Sequence, residues 1–130
     1  MALERALIEA ERTGKLPKAV IVVNLYGQSA DMEPILALCE KYNIPCIEDA
    51  AESLGATYNG KQSGTWAKLG IYSFNGNKII TTSGGGMLVS DDLELIEKAK
   101  YLSTQAKEQL HYYQHYTSEH NYRLSNVLER

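Results

Sequence analysis

The sequence predicts an α/β fold, mainly a parallel sheet flanked by helices, and two observations carry that reading. Lys18 to Leu25 contains the unbroken apolar run Ala19-Val20-Ile21-Val22-Val23, the pattern of a strand covered on both faces in a parallel sheet. A helical segment then leads to a second strand at Pro45-Cys46-Ile47-Glu48, so strand, helix and strand fall within about 30 residues as a right-handed βαβ crossover. The 130 residues suit one folded unit that buries roughly two thirds of the surface its unfolded chain exposes.

Each element has its own signals. Leu3, Ala6, Leu7 and Ala10 stand at helical spacing up to Arg12, and Gly14 stops that first helix. Tyr26-Gly27-Gln28 breaks the first strand. Asp31 is placed to cap the next helix, with Pro34 in its first turn, Ile35, Leu36, Leu38 and Cys39 as its apolar face and Asn43 at its end. Small residues from Ala50 to Ala56 allow close packing, and Asn59-Gly60 is the dipeptide of a tight hairpin turn. Leu69 to Phe74 is a third strand, and Ile79 to Thr82 is expected to pair with Met87 to Val89 as a hairpin around the glycines. Asp91 and Glu94 are in capping-box register for a last helix that ends near Thr104. Gln105 to His120 reads as a long polar and aromatic loop.

Composition excludes several classes. A net charge of −3 with acidic and basic residues interspersed leaves no basic stripe for nucleic acid. The longest apolar run is far short of the roughly 20 residues of a membrane span, and the charged N-terminus lacks the core of an export signal. Cys39 and Cys46 have neither a disulfide framework nor metal-ligand spacing and read as small core residues. A soluble, cytoplasmic protein is expected. His111 and His115 lack the third ligand of a zinc site, and Gly70, Gly76 and Lys78 miss the spacing of a phosphate-binding Walker loop.

The chemistry converges on Ser73-Phe74-Asn75-Gly76-Asn77-Lys78, with Asp49 upstream at a strand's carboxyl end and Gly84-Gly85-Gly86 downstream. Open α/β sheets place ligands at that end of their strands. A lysine amine for a Schiff base, a carboxylate for a ring nitrogen and a hydroxyl for a phosphate are the parts that pyridoxal phosphate requires. Taken singly, Asp49 also reads as a turn former, Ser73 as a core hydroxyl and Asn121 as a helix cap.

The motifs Glu48-Asp49-Ala50-Ala51-Glu52-Ser53-Leu54-Gly55-Ala56, Gly64-Thr65, Ser73 to Lys78 and Thr81 to Met87 resemble the DegT/DnrJ-type sugar aminotransferases, as do Leu25-Tyr26-Gly27-Gln28 and Asn121-Tyr122-Arg123-Leu124-Ser125. The resemblance implies part of the large domain of the aspartate-aminotransferase-like fold and a pyridoxal 5'-phosphate cofactor. It further implies transfer of an amino group from an amino acid, glutamate, to a nucleotide-linked keto sugar. Lys78 then carries the cofactor and shuttles a proton, Asp49 holds the pyridinium nitrogen, and Ser73 donates to the phosphate. Asn121 reaches the phosphate of a neighbouring subunit, which implies a homodimer.

Glu52 stands where many relatives have a glutamine beside the phenolic oxygen, and is expected either to turn away or to be protonated. Asn24 replaces a frequent histidine and is expected to be neutral, whereas Glu119 replaces a glycine and is expected to strain its loop. Relatives run to about three times this length, enough for two domains. The chain is therefore expected to be a partial cofactor-binding large domain cut at both ends and lacking the small C-terminal domain. The alternative is a non-catalytic α/β piece that cannot bind the cofactor by itself.

Overall fold

The computed structural model describes residues 1–103. In chain order they form α1 (Ala2–Arg12), β1 (Val20–Val23), α2 (Met32–Lys41), β2 (Cys46–Asp49), β3 (Thr57–Tyr58), β4 (Lys61–Gln62), β5 (Leu69–Ser73), β6 (Gly86–Val89) and α3 (Leu93–Ser103). The main sheet has the order β1-β2-β5-β6, and β3 and β4 make a separate ribbon. Strands β1, β2 and β5 run parallel and β6 is antiparallel to β5. The mainly parallel α/β class read from the sequence is the observed one.

Local chemistry explains most boundaries. Gly14 takes a φ of +67° after α1, and Asn43 a φ of +52° after α2, a conformation asparagine tolerates better than most residues. The Ile44 N–H then bonds the Cys39 carbonyl at 2.8 Å and turns the chain into β2. Asn59 and Gly60, both at positive φ, make the tight turn that pairs Tyr58 with Lys61. The core lies on one face of the sheet, where Val22 and Cys46 meet Met32 and Cys39 of α2, with Trp66 and Tyr58 packed at the margin.

Four expectations change. The run at β1 is covered on one face only: Val22 is 8% exposed, whereas Ile21 is 62% exposed, because α2 packs on the Val22 side. Residues 79–82 form no strand, and β6 pairs with β5 instead. The Asp31 carboxylate makes no cap bond to α2 and accepts the Tyr58 hydroxyl, which pushes the Tyr58 pKa up to about 12. Asp92, not Asp91, caps α3 by accepting the Leu95 N–H at 3.2 Å, held also by Lys68 at 3.4 Å.

Burial on this face leaves little space at Gly70, which pairs with Glu48 in the register. A Cβ there would overlap the Gly64 carbonyl. Gly70→Ala is therefore expected to destabilise the fold by about 3 kcal/mol, the upper range for overpacking a tight core. Urea unfolding followed by circular dichroism measures it, and Gly76→Ala, at a site with nothing nearby, serves as the control.

Candidate active site

Parallel pairing brings the ends of three strands together. Val23 is in register with Asp49, and Asp49 with Ile71, so the loops after β1, β2 and β5 all leave from the carboxyl edge of the sheet, where such folds bind ligands. In the first loop, Tyr26 (φ +52°) and Gly27 (φ +76°) are left-handed, and the Ala30 N–H closes the base by bonding Asn24 Oδ1 at 2.9 Å. For a tyrosine that backbone conformation costs about 1 kcal/mol or more, so other contacts must hold it. In the second loop the Ala51 N–H bonds Asp49 Oδ1 at 3.1 Å, a turn that carries the chain to Glu52. In the third, Phe74 is clamped by backbone bonds to Gly85 and Thr82, both 3.0 Å, and the Lys78 N–H bonds the Asn75 carbonyl at 3.0 Å.

These loops enclose a cleft of about 380 Å³ lined by Tyr26, Gly27, Glu52, Asn77, Lys78 and Ile79. Lys78 Nζ lies 3.3 Å from Glu52 Oε1, with the lysine side chain only 15% exposed and the glutamate 34%. The other glutamate oxygen accepts the Tyr26 N–H at 3.2 Å. That backbone bond, and then the Lys78 ammonium, hold the Glu52 carboxyl below the usual carboxylate range. Glu52 faces Lys78 in the cleft and is an acceptor with two donors.

Beneath the loops lies a second carboxylate, Glu48, with no exposed surface. Its Oε1 accepts Asn24 Nδ2 at 2.9 Å and the Ser63 hydroxyl at 3.2 Å, and its Oε2 accepts the Trp66 N–H at 2.9 Å. Asn24 Nδ2 also reaches Ser63 Oγ at 2.7 Å, and Ser53 Oγ lies 2.6 Å from Ser63 Oγ. Tyr72 donates its hydroxyl to the Ser63 carbonyl at 2.7 Å. Asn24 is thus a hub of this network.

The predicted residues fall into three groups. Glu52 and Lys78 meet in the cleft. Asp49 and Ser73 are half-buried on the same side of the sheet, since Ser73 lies two residues beyond Ile71, the partner of Asp49. Neither of them lines the cleft. Asn121 lies outside the described residues, as do Glu119, His111 and His115. The sequence reading missed Glu48 as a hub, although an acidic residue in a strand, on the face it shares with Cys46, is a signal. It also assigned no role to Tyr26, whose contribution is a backbone N–H that side-chain chemistry does not announce.

A mainly parallel sheet with a lysine-bearing loop at its carboxyl edge matches the large domain of aminotransferases. A model of the DegT/DnrJ/EryC1/StrS aminotransferase family matches residues 1–128, and the chain belongs to that family. It is 68% identical over 127 residues to EpsN of Bacillus subtilis (strain 168), which carries a provisional assignment as a pyridoxal phosphate-dependent aminotransferase; the match takes in 98% of this chain and 33% of EpsN. It is 43% identical over 125 residues to the GDP-perosamine synthase of Caulobacter vibrioides, across 96% of this chain and 33% of that one. A DegT DnrJ EryC1 StrS aminotransferase from Brucella abortus superposes with a TM-score of 0.87 at 30% identity, over 97% of this chain and 34% of that structure. The chain spans about a third of the length of these relatives. No helix among the described residues is long and apolar enough to cross a membrane.

The Glu52 contacts make a pH-dependent contribution. Because the folded state lowers its carboxyl below the unfolded value, that contribution is complete above the ordinary range of about pH 4.3 and is lost as pH falls through the lowered value. Glu52→Gln is expected to melt below the parent near about pH 7 and to converge with it toward about pH 3, as read by thermal melts across that interval.

Proposed function

We propose that the chain is the cofactor-binding part of a pyridoxal 5'-phosphate-dependent aminotransferase. The whole protein would pass an amino group from an amino acid, glutamate, to a nucleotide-linked keto sugar in the cytoplasm. The observation that carries this reading is Lys78, a primary amine held in a cleft at the carboxyl edge of the sheet. Family membership supports it, as does the naming of a relative as a GDP-perosamine synthase.

By their chemistry the donors suit such a cofactor, although Asp49 and Ser73 stand outside the lining of the Lys78 cleft. Among the described residues, Asp49 uses Oδ1 for the Ala51 N–H and keeps Oδ2 to accept a ring N–H. Ser73 Oγ accepts the Asn75 N–H at 3.5 Å, which leaves its own proton to donate to a phosphate oxygen. The cleft is within the size range of small-molecule sites. The cofactor, when bound, supplies an aldehyde for an amine and a ring that accepts electrons.

Lys78 Nζ is then the covalent anchor and afterwards carries the proton to and from the amino-bearing carbon. Asp49 keeps the ring nitrogen protonated, Ser73 holds the phosphate, and Asn121 reaches the phosphate of the second subunit of a homodimer. Glu52 orients Lys78 until the amine is engaged. A second reading, a chain that takes no cofactor by itself, is favoured by the apolar side chains Ile21, Val23, Ile79 and Ile80 standing more than half exposed.

Incubation with pyridoxal 5'-phosphate, borohydride reduction and peptide mapping separates the two. The first reading expects a reduced adduct on Lys78 that is lost in Lys78→Ala. No adduct on the chain supports the second. In a protein of the relatives' full length, Lys78→Ala is expected to abolish transamination, and retained turnover there overturns the assignment.

A further inference from the structure

We propose that Glu48 is a positioning residue for the Lys78 cleft, setting through two arms, themselves joined by the Asn24–Ser63 bond, where Tyr26 and Glu52 stand. One arm is Asn24, whose amide nitrogen donates to Glu48 Oε1 and whose amide oxygen closes the loop that bears Tyr26 two residues on. The other is the relay from Ser63, also on Oε1, to Ser53, the residue after Glu52. The relay has a fixed direction. A hydroxyl has one proton, and that of Ser63 goes to Glu48, so Ser53 donates to Ser63. Both ends of the Tyr26 N–H to Glu52 bond therefore hang from the same carboxylate oxygen, and that bond leaves Glu52 Oε1 facing Lys78. Every partner of Glu48 is a donor, a set that a glutamine of the same shape cannot satisfy, because its amide nitrogen would face donors.

This holds whether or not the cofactor reading does, because the readout is the lysine itself. The 130-residue chain is treated briefly with acetic anhydride, and peptide mapping gives the rate at Lys78 relative to exposed Lys15. In the parent chain, Lys78, 15% exposed and paired with Glu52, is expected to lag behind Lys15. In Glu48→Gln the ratio is expected to rise about two- to fivefold, the factor a partly exposed ion pair contributes, and to match that of Glu52→Gln. Cys39 and Cys46, both under 5% exposed, remain unlabelled by iodoacetamide in the same sample, so that a general loosening, which would open them too, is told apart. If Glu48→Gln exposes the cysteines, Ser63→Ala, which removes the Ser53 arm and the Ser63 contact of Asn24 but leaves Asn24 on Glu48, takes its place with the same expected rise. A ratio unchanged from the parent while the thiols stay silent overturns the proposal, as does a rise that occurs only together with thiol labelling in both variants.

Discussion

A carboxylate with no exposed surface and, among the described residues, no cation beside it is the constraint from which the rest of this structure follows. Removing such a group from water is costly by several kcal/mol unless both oxygens find donors. Glu48 meets that requirement with an amide from the loop after β1 and a hydroxyl and a backbone N–H from the turn before β5, and Ser63 passes the connection on to Ser53 in the loop after β2. Those segments have little freedom left once they serve it. The loop after β1, the loop after β2 and the turn before β5 are arranged around one buried side chain, and the cleft is what their arrangement leaves above it.

That order of dependence separates the two faces of β2. Glu48 points into the covered layer with Val22 and Cys46, whereas Asp49, the next residue, points to the other face with Ile47. Consecutive acidic residues thus have opposite surroundings. One has three donors on its two oxygens, and the other has a single side-chain partner among the described residues and room for another. The strand register makes the difference, since a slip by one residue would exchange them.

The sequence made the architecture legible because its apolar periods are long and its turns carry distinctive residues. The strand within Lys18 to Leu25 is present, though only over Val20–Val23 and covered on one face, and the apolar face of α2 and the Asn59-Gly60 hairpin match the reading. The arm expected at 79–82 failed because Ile79 and Ile80 look like a strand but stand beside a lysine-bearing loop that Phe74 clamps into a different path. Asp31 and Asp91 are sound caps by propensity, and each lost to a partner distant in sequence or to its neighbour: Tyr58 in the first case, Asp92 in the second. Lys78 and Glu52 were legible by motif. The Glu48 hub was not, because its donors come from Asn24, Ser63 and Trp66, which no local window holds together.

Strand β1 lies at the rim of the sheet, paired on one side with β2 and, among the described residues, with nothing on the other. It also keeps Ile21 and Val23 in water. An unpaired, uncharged, β-branched border is a template onto which foreign strands can zip, the seed of fibrils and precipitates. Pro17 and Lys18 stand immediately before it and act as gatekeepers, one unable to extend the ladder and the other repelling a like-charged newcomer. Among the described residues, the border's resistance to such zipping therefore draws on two exposed positions that lie outside both the core and the cleft.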